Sequence, residues 1–515
     1  MVKFMALAAH TLLSSTAATS TTPTLQLGTK VGRTNPNYAS FNVDSSYNRG
    51  FFHMNFTNPN LLAATASLAP ATIRFGGTGN DYLFYDCQTV PGRDNDFYGC
   101  LNDTHRSNLL ALATDTGNDF LFGISFDMEA ACATNDSSYV WSSNPTRVLL
   151  SKLSEAKQTV WGFELGNEVN NRAGSDSHGA CNLIPKQQSD AMLLLSDVLK
   201  EYYPNIKERP KFVGPDTGYK DAPNWLNATL SSAGSRLYAV THHVYPGIHR
   251  DNFNSPDALD RVLNGDLKWY PPILREHAPN AQMWAGEDGP TSGGESGTCS
   301  GTEGDPHNVS ACGFYATVLW YADDLALRAS HGFKQYQRQD LVGGRYSLLG
   351  TQHDNEYEPY SAAITIHPDF WITFLWKKAV GLNVLSVLLS ESTPKTIRAY
   401  AHCGAPPSKH PVPDYLNKSA VSSSVTLILI NIDNVTTTTM EVDGVTSSSS
   451  WTLTPGAGGP FNAGALLNGQ TLPTEIADGR PIESVPVVGV MRKDGKLTLP
   501  PLSVSFVVVQ GVEAC

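Results

Sequence analysis

The stretch VWGFELGNE, residues 160–168, is a short apolar run that ends in an amide and a carboxylate. A second stretch, QMWAGE at residues 282–287, repeats the pattern and also ends in a glycine followed by an acid. Runs of about four to eight apolar residues are typical of fully buried strands. Two such strands that each end in an acid predict a parallel sheet with its chemistry at the carboxyl ends of its strands.

Similar short runs recur on both sides of these two stretches and alternate with helix-like segments. The expected strands cover residues 71–75, 119–125, 160–165, 211–214, 237–245, 282–286 and 333–341, and the expected second strand covers residues 82–85. Residues 187–202 show the helical pattern, because Met192, Leu195, Leu199 and Tyr202 recur at spacings of three and four. This alternation predicts an α/β fold, a closed (β/α)8 or TIM barrel over residues 57–385.

Beyond the barrel the pattern changes to strands without helices between them. These strands are expected at residues 423–432, 437–442, 451–454 and 501–509, separated by clusters of Ser, Thr, Gly and Pro. Such a pattern predicts an appended β-sandwich over residues 386–515. Residues 21–56 are also strand-like, and we expect them to contribute strands to the same sandwich.

The charge balance and the start of the chain limit the class of protein. The 515 residues include 36 Lys and Arg against 48 Asp and Glu, a formal net charge of −12. A nucleic-acid partner is not expected, because phosphate binding needs clustered cations. Residues 1–20 combine one lysine, an apolar stretch and small residues, which predicts a secretory signal peptide. No later run reaches the roughly 18 apolar residues of a spanning helix, so no transmembrane segment is expected.

Seven Asn-X-Ser/Thr sequons and eight cysteines favour a secreted glycoprotein, or one in a lysosome- or vacuole-like compartment. Two disulfides are favoured because their cysteines lie close together in the sequence, and the four remaining cysteines form two further pairs. The alternative is that the cysteines are buried free thiols. The expected pairs are Cys87–Cys100, Cys299–Cys312, Cys132–Cys181 and Cys403–Cys515. There is no CxxC pair and no histidine spacing suited to zinc, so neither a metal nor a cofactor is expected.

Glu168 and Glu287 are the expected catalytic pair. Three strand-and-helix units separate them, which places the two acids on opposite sides of the mouth of an eight-stranded ring. Facing carboxylates suit glycoside hydrolysis, in which one acid protonates the leaving oxygen and the other attacks or activates water. The simpler alternative is that each acid caps the next helix. Glu164 shares a strand face with Glu168 and is expected to be structural, with Arg74 or Arg338 as its partner.

The segments that carry these residues resemble, in order, those of the heparanase family, glycoside hydrolase family 79. They are IRFGGT (73–78), FGI (122–124), FELGNE (163–168), VTHHVY (240–245), WAGE (284–287) and FLWKKAVG (374–381), followed by Cys403 and Cys515. The resemblance covers most of the chain and implies a retaining β-glucuronidase. It implies that Glu168 is the acid and then the base, and that Glu287 is the nucleophile. Carboxyl groups about 5 to 5.5 Å apart would keep Glu168 protonated in the free enzyme and give an acidic pH optimum.

The resemblance also implies a set of sugar contacts. The expected substrate-binding residues are Asn167, Tyr245, His243, Asp44, Thr78, Gly293, Gly294, Tyr346 and Arg345. Asn167 would bind the 2-hydroxyl of the sugar, and Tyr245 would orient Glu287. Backbone amides of the two glycines, together with Tyr346, would bind a uronate carboxylate. Arg345 is either an added cation for that carboxylate or a solvated loop residue, and Tyr245 and His243 could instead be satisfied residues of the barrel rim.

The chain departs from the animal heparan-cleaving enzymes around its cleft. Residues 86–105 form a short segment without lysine, so proteolytic activation is not expected. Only three cations are expected near the cleft, Lys220, His249 and Arg250, in a chain with a net charge of −12. Because heavily sulfated heparan needs many cations to bind it, a less charged glucuronide is the expected substrate. It would be a poly- or oligosaccharide of a cell wall or extracellular matrix. Two alternatives remain: the same carboxylates acting on another sugar, as in a glucosidase or xylanase, and a non-catalytic glycan-binding wall protein.

Overall fold

A computed structural model describes residues 22–45, 54–87, 99–134, 138–173, 181–292, 313–343, 346–350, 363–403, 424–445, 447–477, 482, 489–492 and 495–509. The first strand, β1, spans Thr24–Arg33. Eight parallel strands then close a barrel: β2 Ala39–Asp44, β3 Thr72–Gly76, β4 Asp119–Ile124, β5 Gly162–Leu165, β6 Lys211–Thr217, β7 Ala239–Val244, β8 Gln282–Asp288 and β9 Gln335–Arg338. The predicted TIM barrel is confirmed.

The barrel begins earlier in the chain than predicted. Strand β2 lies within the segment 21–56 that was expected to belong to the sandwich, and it pairs with β3 on one side and β9 on the other. Its alternating polar residues explain the error, since alternation usually indicates a strand with one wet face. Here the polar face points inward: Asn42 donates to the carbonyl of Gly286 on β8, and Asp44 accepts a hydrogen bond from Gln339.

The predicted second strand at residues 82–85 is wrong. A 3₁₀ helix occupies Thr78–Tyr82, and Phe84 forms an isolated bridge to Cys100. Helices follow the barrel strands as the periodicity indicates. They are α1 Pro59–Ser67, α2 Asp103–Asp115, α3 Met128–Thr134, α4 Asn144–Glu155, α5 Val169–Arg172, α6 Pro185–Tyr202, α7 Ala222–Ala233, α8 Pro256–Leu259, α9 Arg261–Asn264, α10 Asp266–His277, α11 Ala316–Ser330 and α12 Phe370–Ala379, with a second 3₁₀ helix at Gly234–Arg236.

An eleven-stranded sheet forms the second, sandwich-like unit. It contains β1 together with β12 Asn383–Leu389, β13 Ile397–Cys403, β14 Val425–Asn431, β15 Thr438–Val442, β16 Ser448–Pro455, β17 Ala465–Leu467, β18 Gln470–Thr471, β20 Val490–Arg492, β21 Lys496–Leu499 and β22 Ser503–Val509. Strand β21 packs back against β14 and β22. The resulting two layers enclose an apolar core that includes Leu25, Leu427, Met440 and Leu497.

The two units share a continuous interface. Helices α11 and α12 lie between the barrel and the sheet, and α11 is buried along nearly its whole length. A small sheet of β10 Leu349–Gly350, β11 Ile364–Ile366 and β19 Glu475–Ile476 adds a second connection. From the sandwich side, the carbonyls of Pro460 and Asn462 accept hydrogen bonds from the amides of Ala316 and Tyr315 at the start of α11.

Two of the expected disulfides are confirmed. Cys87 bonds to Cys100 and Cys132 bonds to Cys181. The expected pair of Cys299 with Cys312 lies outside the described residues, as does Cys515, the expected partner of the buried Cys403. Within the described ranges, no helix combines the length and the apolar composition needed to cross a membrane.

Candidate active site

Two acids face each other at the carboxyl ends of barrel strands. Glu168 follows β5, and Glu287 lies near the end of β8. One carboxylate oxygen of Glu168 lies within 4.8 Å of one carboxylate oxygen of Glu287. The side chain of Glu168 is 19% exposed and that of Glu287 is 6% exposed, so the pair is shielded from bulk water but reachable from the barrel mouth.

Glu168 has a left-handed backbone conformation, with φ of 50°. This conformation costs a non-glycine residue roughly 1–3 kcal/mol and persists only where the surroundings hold it. The Glu168 amide donates to the carbonyl of Asp216 at 2.9 Å, and Asp216 is itself left-handed with φ of 60°. The Glu168 side chain does not cap α5, the helix that follows it. The helix-capping alternative therefore does not account for this acid.

Arg74, on β3, lies beneath the pair and is 1% exposed. Its Nη1 donates to Oε2 of Glu287 at 3.0 Å, and its Nε donates to Oε2 of Glu164 at 2.5 Å. Its Nη2 donates to Oδ1 of Asn167 at 2.9 Å and also to Asp216. One buried cation thus orients Glu287 and Asn167 while it offsets three carboxylates.

Glu164 has the structural position that the sequence predicted. Of its two candidate partners the structure selects Arg74, because Arg338 pairs with a carboxylate outside the site. Thr241 donates to the second carboxylate oxygen of Glu164 at 3.1 Å. Burial raises the pKa of Glu164 to about 7, and the negative charge of Asp216 acts in the same direction.

His243 bridges two carboxylates under the site. Its Nδ1 lies 3.0 Å from Oε1 of Glu168 and 3.7 Å from Oε2 of Glu287, and its Nε2 contacts Asp216. None of its side chain is exposed. Both ring nitrogens have partners within the chain, as the alternative of a satisfied rim residue expects, and contact of His243 with the substrate stays a prediction.

The same contacts decide where a proton resides. Burial opposes the charged form of His243, but the charges of Asp216 and Glu287 outweigh burial and raise its pKa well above the ordinary value. Burial would raise the pKa of Glu168, but the hydrogen bond and positive charge of His243 hold that pKa below its ordinary value. Both shifts favour a proton on His243 over one on Glu168, the residue that was expected to hold it in the free enzyme. The acidic pH optimum stays a prediction.

A further buried carboxylate, Asp81, supports the backbone next to the pair. Its Oδ1 accepts from the amide of Phe126 at 3.0 Å, and its Oδ2 accepts from the amide of Asn167 at 2.9 Å. Burial raises the pKa of Asp81 to about 7, although the two amide hydrogen bonds act in the opposite direction. Asp81 thus ties the ends of β4 and β5 together beside Glu168.

Asn167 and Tyr245 follow the carboxyl ends of β5 and β7. Oδ1 of Asn167 accepts from the amide of Gly77 at 3.1 Å as well as from Arg74 at 2.9 Å. The hydroxyl of Tyr245 donates to Oε1 of Glu287. The ring of Tyr346 lies 6.4 Å from the Tyr245 ring, between centroids, which places Tyr346 beside the nucleophile candidate.

The remaining predicted contacts are spread around the same rim. Asp44 ends β2 and accepts from Gln339 at 2.6 Å, and Thr78 begins the 3₁₀ helix after β3. Predicted uronate contacts at Gly293, Gly294 and Arg345 lie outside the described residues.

Glu168, His243 and Glu287 are also spaced so that they could hold a metal ion, since one ligand atom of each lies within 4.8 Å of the others. Metal ligation requires a neutral imidazole with a free lone pair. Here Nδ1 of His243 lies 3.0 Å from Oε1 of Glu168, its Nε2 contacts Asp216, and Arg74 donates to Glu287. In this structure the three residues are thus held by hydrogen bonds within the chain.

Sequence reasoning missed Asp216 and Asn171 as site residues. Asp216 contacts Arg74 and His243, and Nδ2 of Asn171 donates to Oε2 of Glu168 at 2.6 Å. A signal for Asp216 was present, because it ends a buried strand in the same way as Glu168. Asn171 offered no comparable signal, since its role depends on the short helix that turns it back towards the acid.

Two of the three cleft cations named from the sequence are engaged within the chain. Nζ of Lys220 donates to the carbonyl of Ala173. The Arg250 guanidinium carbon lies 4.5 Å from the centroid of the Phe461 ring, a cation–π contact with the sandwich.

Comparisons with known proteins show the family of this chain. A sequence profile described as "Glycosyl hydrolase family 79, N-terminal domain" matches residues 35–326. The chain belongs to glycosyl hydrolase family 79. It is similar to "Heparanase-like protein 3" of Arabidopsis thaliana, with 24% identity over 89% of this chain and 85% of that protein. It is also similar to "Heparanase" of Bos taurus, with 26% identity over 93% of this chain and 90% of that protein.

Among solved structures, the fold is similar to a 4-O-alpha-L-rhamnosyl-beta-D-glucuronidase from Fusarium oxysporum. The TM-score is 0.65 with 15% sequence identity, over 94% of this chain and 100% of the other. At this identity the likeness shows the fold alone. Family membership identifies this family 79 chain as a glycoside hydrolase, and the non-catalytic alternative is set aside.

Proposed function

We propose that this family 79 chain is a secreted retaining β-glucuronidase in which Glu168 is the acid and base and Glu287 is the nucleophile. The observation that carries the proposal is the distance within 4.8 Å between carboxylate oxygens of the two residues. Retaining enzymes keep their carboxyl groups about 5 to 5.5 Å apart, whereas inverting enzymes need roughly 6.5 to 9.5 Å to admit a water between them.

In the first step, an oxygen of Glu287 attacks the anomeric carbon while the bond from that carbon to the leaving oxygen breaks. The leaving oxygen takes the single proton that Glu168 and His243 share across their 3.0 Å contact, and His243 becomes neutral. Arg74 and Tyr245 hold the two oxygens of Glu287 and so fix the direction of attack. The product of this step is a covalent glycosyl ester.

In the second step, water replaces the leaving group. Glu287 is now an uncharged ester, so a negative charge near Glu168 has disappeared and Glu168 is suited to act as a base. Glu168 takes a proton from the attacking water, the ester bond breaks, and the proton returns to the pair formed with His243. Two displacements at one carbon restore the original anomeric configuration.

Sugar recognition draws on the rim residues. Nδ2 of Asn167 is oriented to donate to the 2-hydroxyl of the sugar, because its Oδ1 is held by Gly77 and Arg74. Asp44 and Thr78 would bind further hydroxyls. For the uronate carboxylate we propose Tyr346, with Gly293, Gly294 and Arg345, on the basis of the family resemblance.

Export of the chain is supported by three features. Residues 1–20 have the composition of a signal peptide, and the chain carries seven sequons. The disulfides Cys87–Cys100 and Cys132–Cys181 suit an oxidising compartment. A cell-wall or matrix glycan containing glucuronic acid is the substrate class that we propose.

The test compares hydrolysis of an aryl β-glucuronide and an aryl β-glucoside, with proton NMR to follow the first-formed anomer. We expect the glucuronide to be preferred and the β-anomer to appear first. In Glu287→Ala, azide should restore turnover and give the α-glycosyl azide, whereas in Glu168→Ala it should give the β-glycosyl azide. Glu276→Ala, at an exposed acid, is the control. Preference for the glucoside would contradict the uronate assignment, and first appearance of the α-anomer would contradict the mechanism.

A further inference from the structure

Two side chains hold the carboxylate of Glu168, one at each oxygen. Nδ2 of Asn171 donates to Oε2 at 2.6 Å, and Nδ1 of His243 lies 3.0 Å from Oε1. Within the described ranges, these are the hydrogen-bonding partners of that carboxylate. The two partners differ in kind, because an imidazole can give up its proton during the reaction and a side-chain amide cannot.

The direction of the Asn171 amide follows from its other partner. Its Oδ1 accepts from the backbone amide of Lys220 at 2.9 Å. A flipped amide would set Oδ1 against the Glu168 carboxylate and Nδ2 against the Lys220 N–H group, which are two repulsive contacts. Asn171 is therefore the donor in its contact with Glu168.

The turn after β6 locks this amide in place. A side chain at position 218 would overlap the amide of Asn171, so the close approach of the backbone requires Gly218. Asn170 fixes that glycine, since its Oδ1 accepts from the Gly218 amide at 2.8 Å and its Nδ2 donates to the Gly218 carbonyl at 3.0 Å. The donor that Asn171 offers to Glu168 is thus positioned before a substrate binds.

The contact with His243 changes during the proposed reaction, whereas the contact with Asn171 does not. In the first step the leaving oxygen takes the proton that Glu168 and His243 share, which leaves the imidazole neutral. Its remaining proton lies on Nε2, because that nitrogen contacts the carboxylate of Asp216. Nδ1 then presents a lone pair to Glu168 and no longer donates to it. Among the described residues, Asn171 is left as the donor to the anionic Glu168.

We infer that Asn171 is a positioning residue for the second step, in which it holds Glu168 as the anion that takes a proton from water. In that step the water oxygen bonds to the anomeric carbon and the ester bond breaks, with its electron pair passing to the Glu287 carboxylate. The proton of the water passes to Glu168. A donor at Oε2 supports this role, since a hydrogen bond to a carboxylate favours its charged form. The inference rests on the proposed function, because it uses Glu168 as the base.

One reagent measures the two steps separately. 2-Fluoro-β-glucuronyl fluoride inactivates the enzyme through the first step, in which fluoride leaves without a proton from Glu168. After the excess reagent is removed, recovery of aryl β-glucuronidase activity measures the second step, in which Glu168 must act as a base. Asn171→Ala should be inactivated at the native rate and should recover about tenfold more slowly, the loss expected for one hydrogen bond to a charged group.

Asn171→Asp separates donation from packing. Aspartate keeps the shape of the side chain and can still accept from the Lys220 amide, but it places an oxygen against Glu168. This variant should also be inactivated at the native rate and recover at least about tenfold more slowly than the native enzyme. The matched control is Asn224→Asp, because Nδ2 of the exposed Asn224 donates to a carboxylate oxygen of Asp221 at 2.7 Å. The control should recover at the native rate.

Recovery of Asn171→Ala at the native rate would overturn the inference. Native recovery of Asn171→Asp beside slow recovery of Asn171→Ala would also overturn it, because Asn171 would then act by packing and not by donation. Equal slowing of inactivation and recovery would show a general disturbance of the site and would overturn it as well. If the native enzyme neither reacts with the reagent nor hydrolyses an aryl β-glucuronide, the proposed function itself is wrong, which is a different result from these three.

Discussion

Replacing Glu164 with glutamine should change how the stability of the protein depends on pH. Glu164 is fully buried, and burial raises its pKa from an ordinary value of 4.5 to about 7. The folded chain therefore keeps a proton that the unfolded chain has released. Above pH 4.5 this difference costs stability, and the cost grows until the pH passes 7.

The magnitude follows from the size of the shift. Each pKa unit corresponds to about 1.4 kcal/mol, so between pH 5 and pH 8 the native protein should lose roughly 2–3 kcal/mol through Glu164. Glutamine cannot ionise and escapes this loss. Arg74 stays paired in the variant, because Asp216 and Glu287 remain in contact with it. The free energy of unfolding of Glu164→Gln should therefore rise relative to the native protein by about that amount over this pH range.

The assay is urea unfolding at pH 5 and pH 8, followed by tryptophan fluorescence, for the native chain and the variant. The control is Glu276→Gln, which replaces an exposed acid. The free energy of unfolding of this variant should differ from that of the native chain by the same amount at both pH values. If the difference between Glu164→Gln and the native chain stays constant, or moves in favour of glutamate at pH 8, the reasoning about buried charge is refuted.

Three further changes have definite expected outcomes. Tyr245→Phe removes a hydrogen bond to the Glu287 carboxylate, and a hydrogen bond to a charged group is worth about 1.5–3 kcal/mol. The value of kcat/KM should therefore fall roughly tenfold to a hundredfold. An unchanged kcat/KM in steady-state kinetics would contradict the contact with Glu287. His243→Asn should move the alkaline limb of the pH profile of kcat/KM to lower pH, because Glu168 alone must then hold the catalytic proton. If the alkaline limb does not move, His243 does not hold that proton. Replacing Cys132 and Cys181 together with alanine should cost about 2–4 kcal/mol in urea unfolding, and no loss would contradict a stabilising bridge.

The barrel was predictable because apolar strands alternate with amphipathic helices, and the acidic pair because each acid ends such a strand. Strand β2 could not be identified by the same reasoning. Its polar residues face a barrel interior that contains hydrogen-bonding groups, as Asn42 and Gly286 show, and this interior produces the same alternation as a solvent-facing strand.

The protonation of the site was also beyond the sequence. The sequence placed His243 near the pair, but its role depends on which atoms its two ring nitrogens meet. That arrangement is set by the packing of β5, β6 and β7 side by side, which brings Glu168 and Asp216 to opposite ends of one imidazole. Spacing along the chain carries no information about such a contact.

The most direct test of the central claim is covalent capture of the nucleophile. A 2-fluoro-β-glucuronyl fluoride should form a glycosyl ester that breaks down slowly. Mass spectrometry of the digested chain should find the added sugar on Glu287. The fraction of labelled chains should equal the fraction of activity that is lost. Glu287→Gln should take up no label. A label on Glu168, or inactivation without any sugar attached to the chain, would contradict the account.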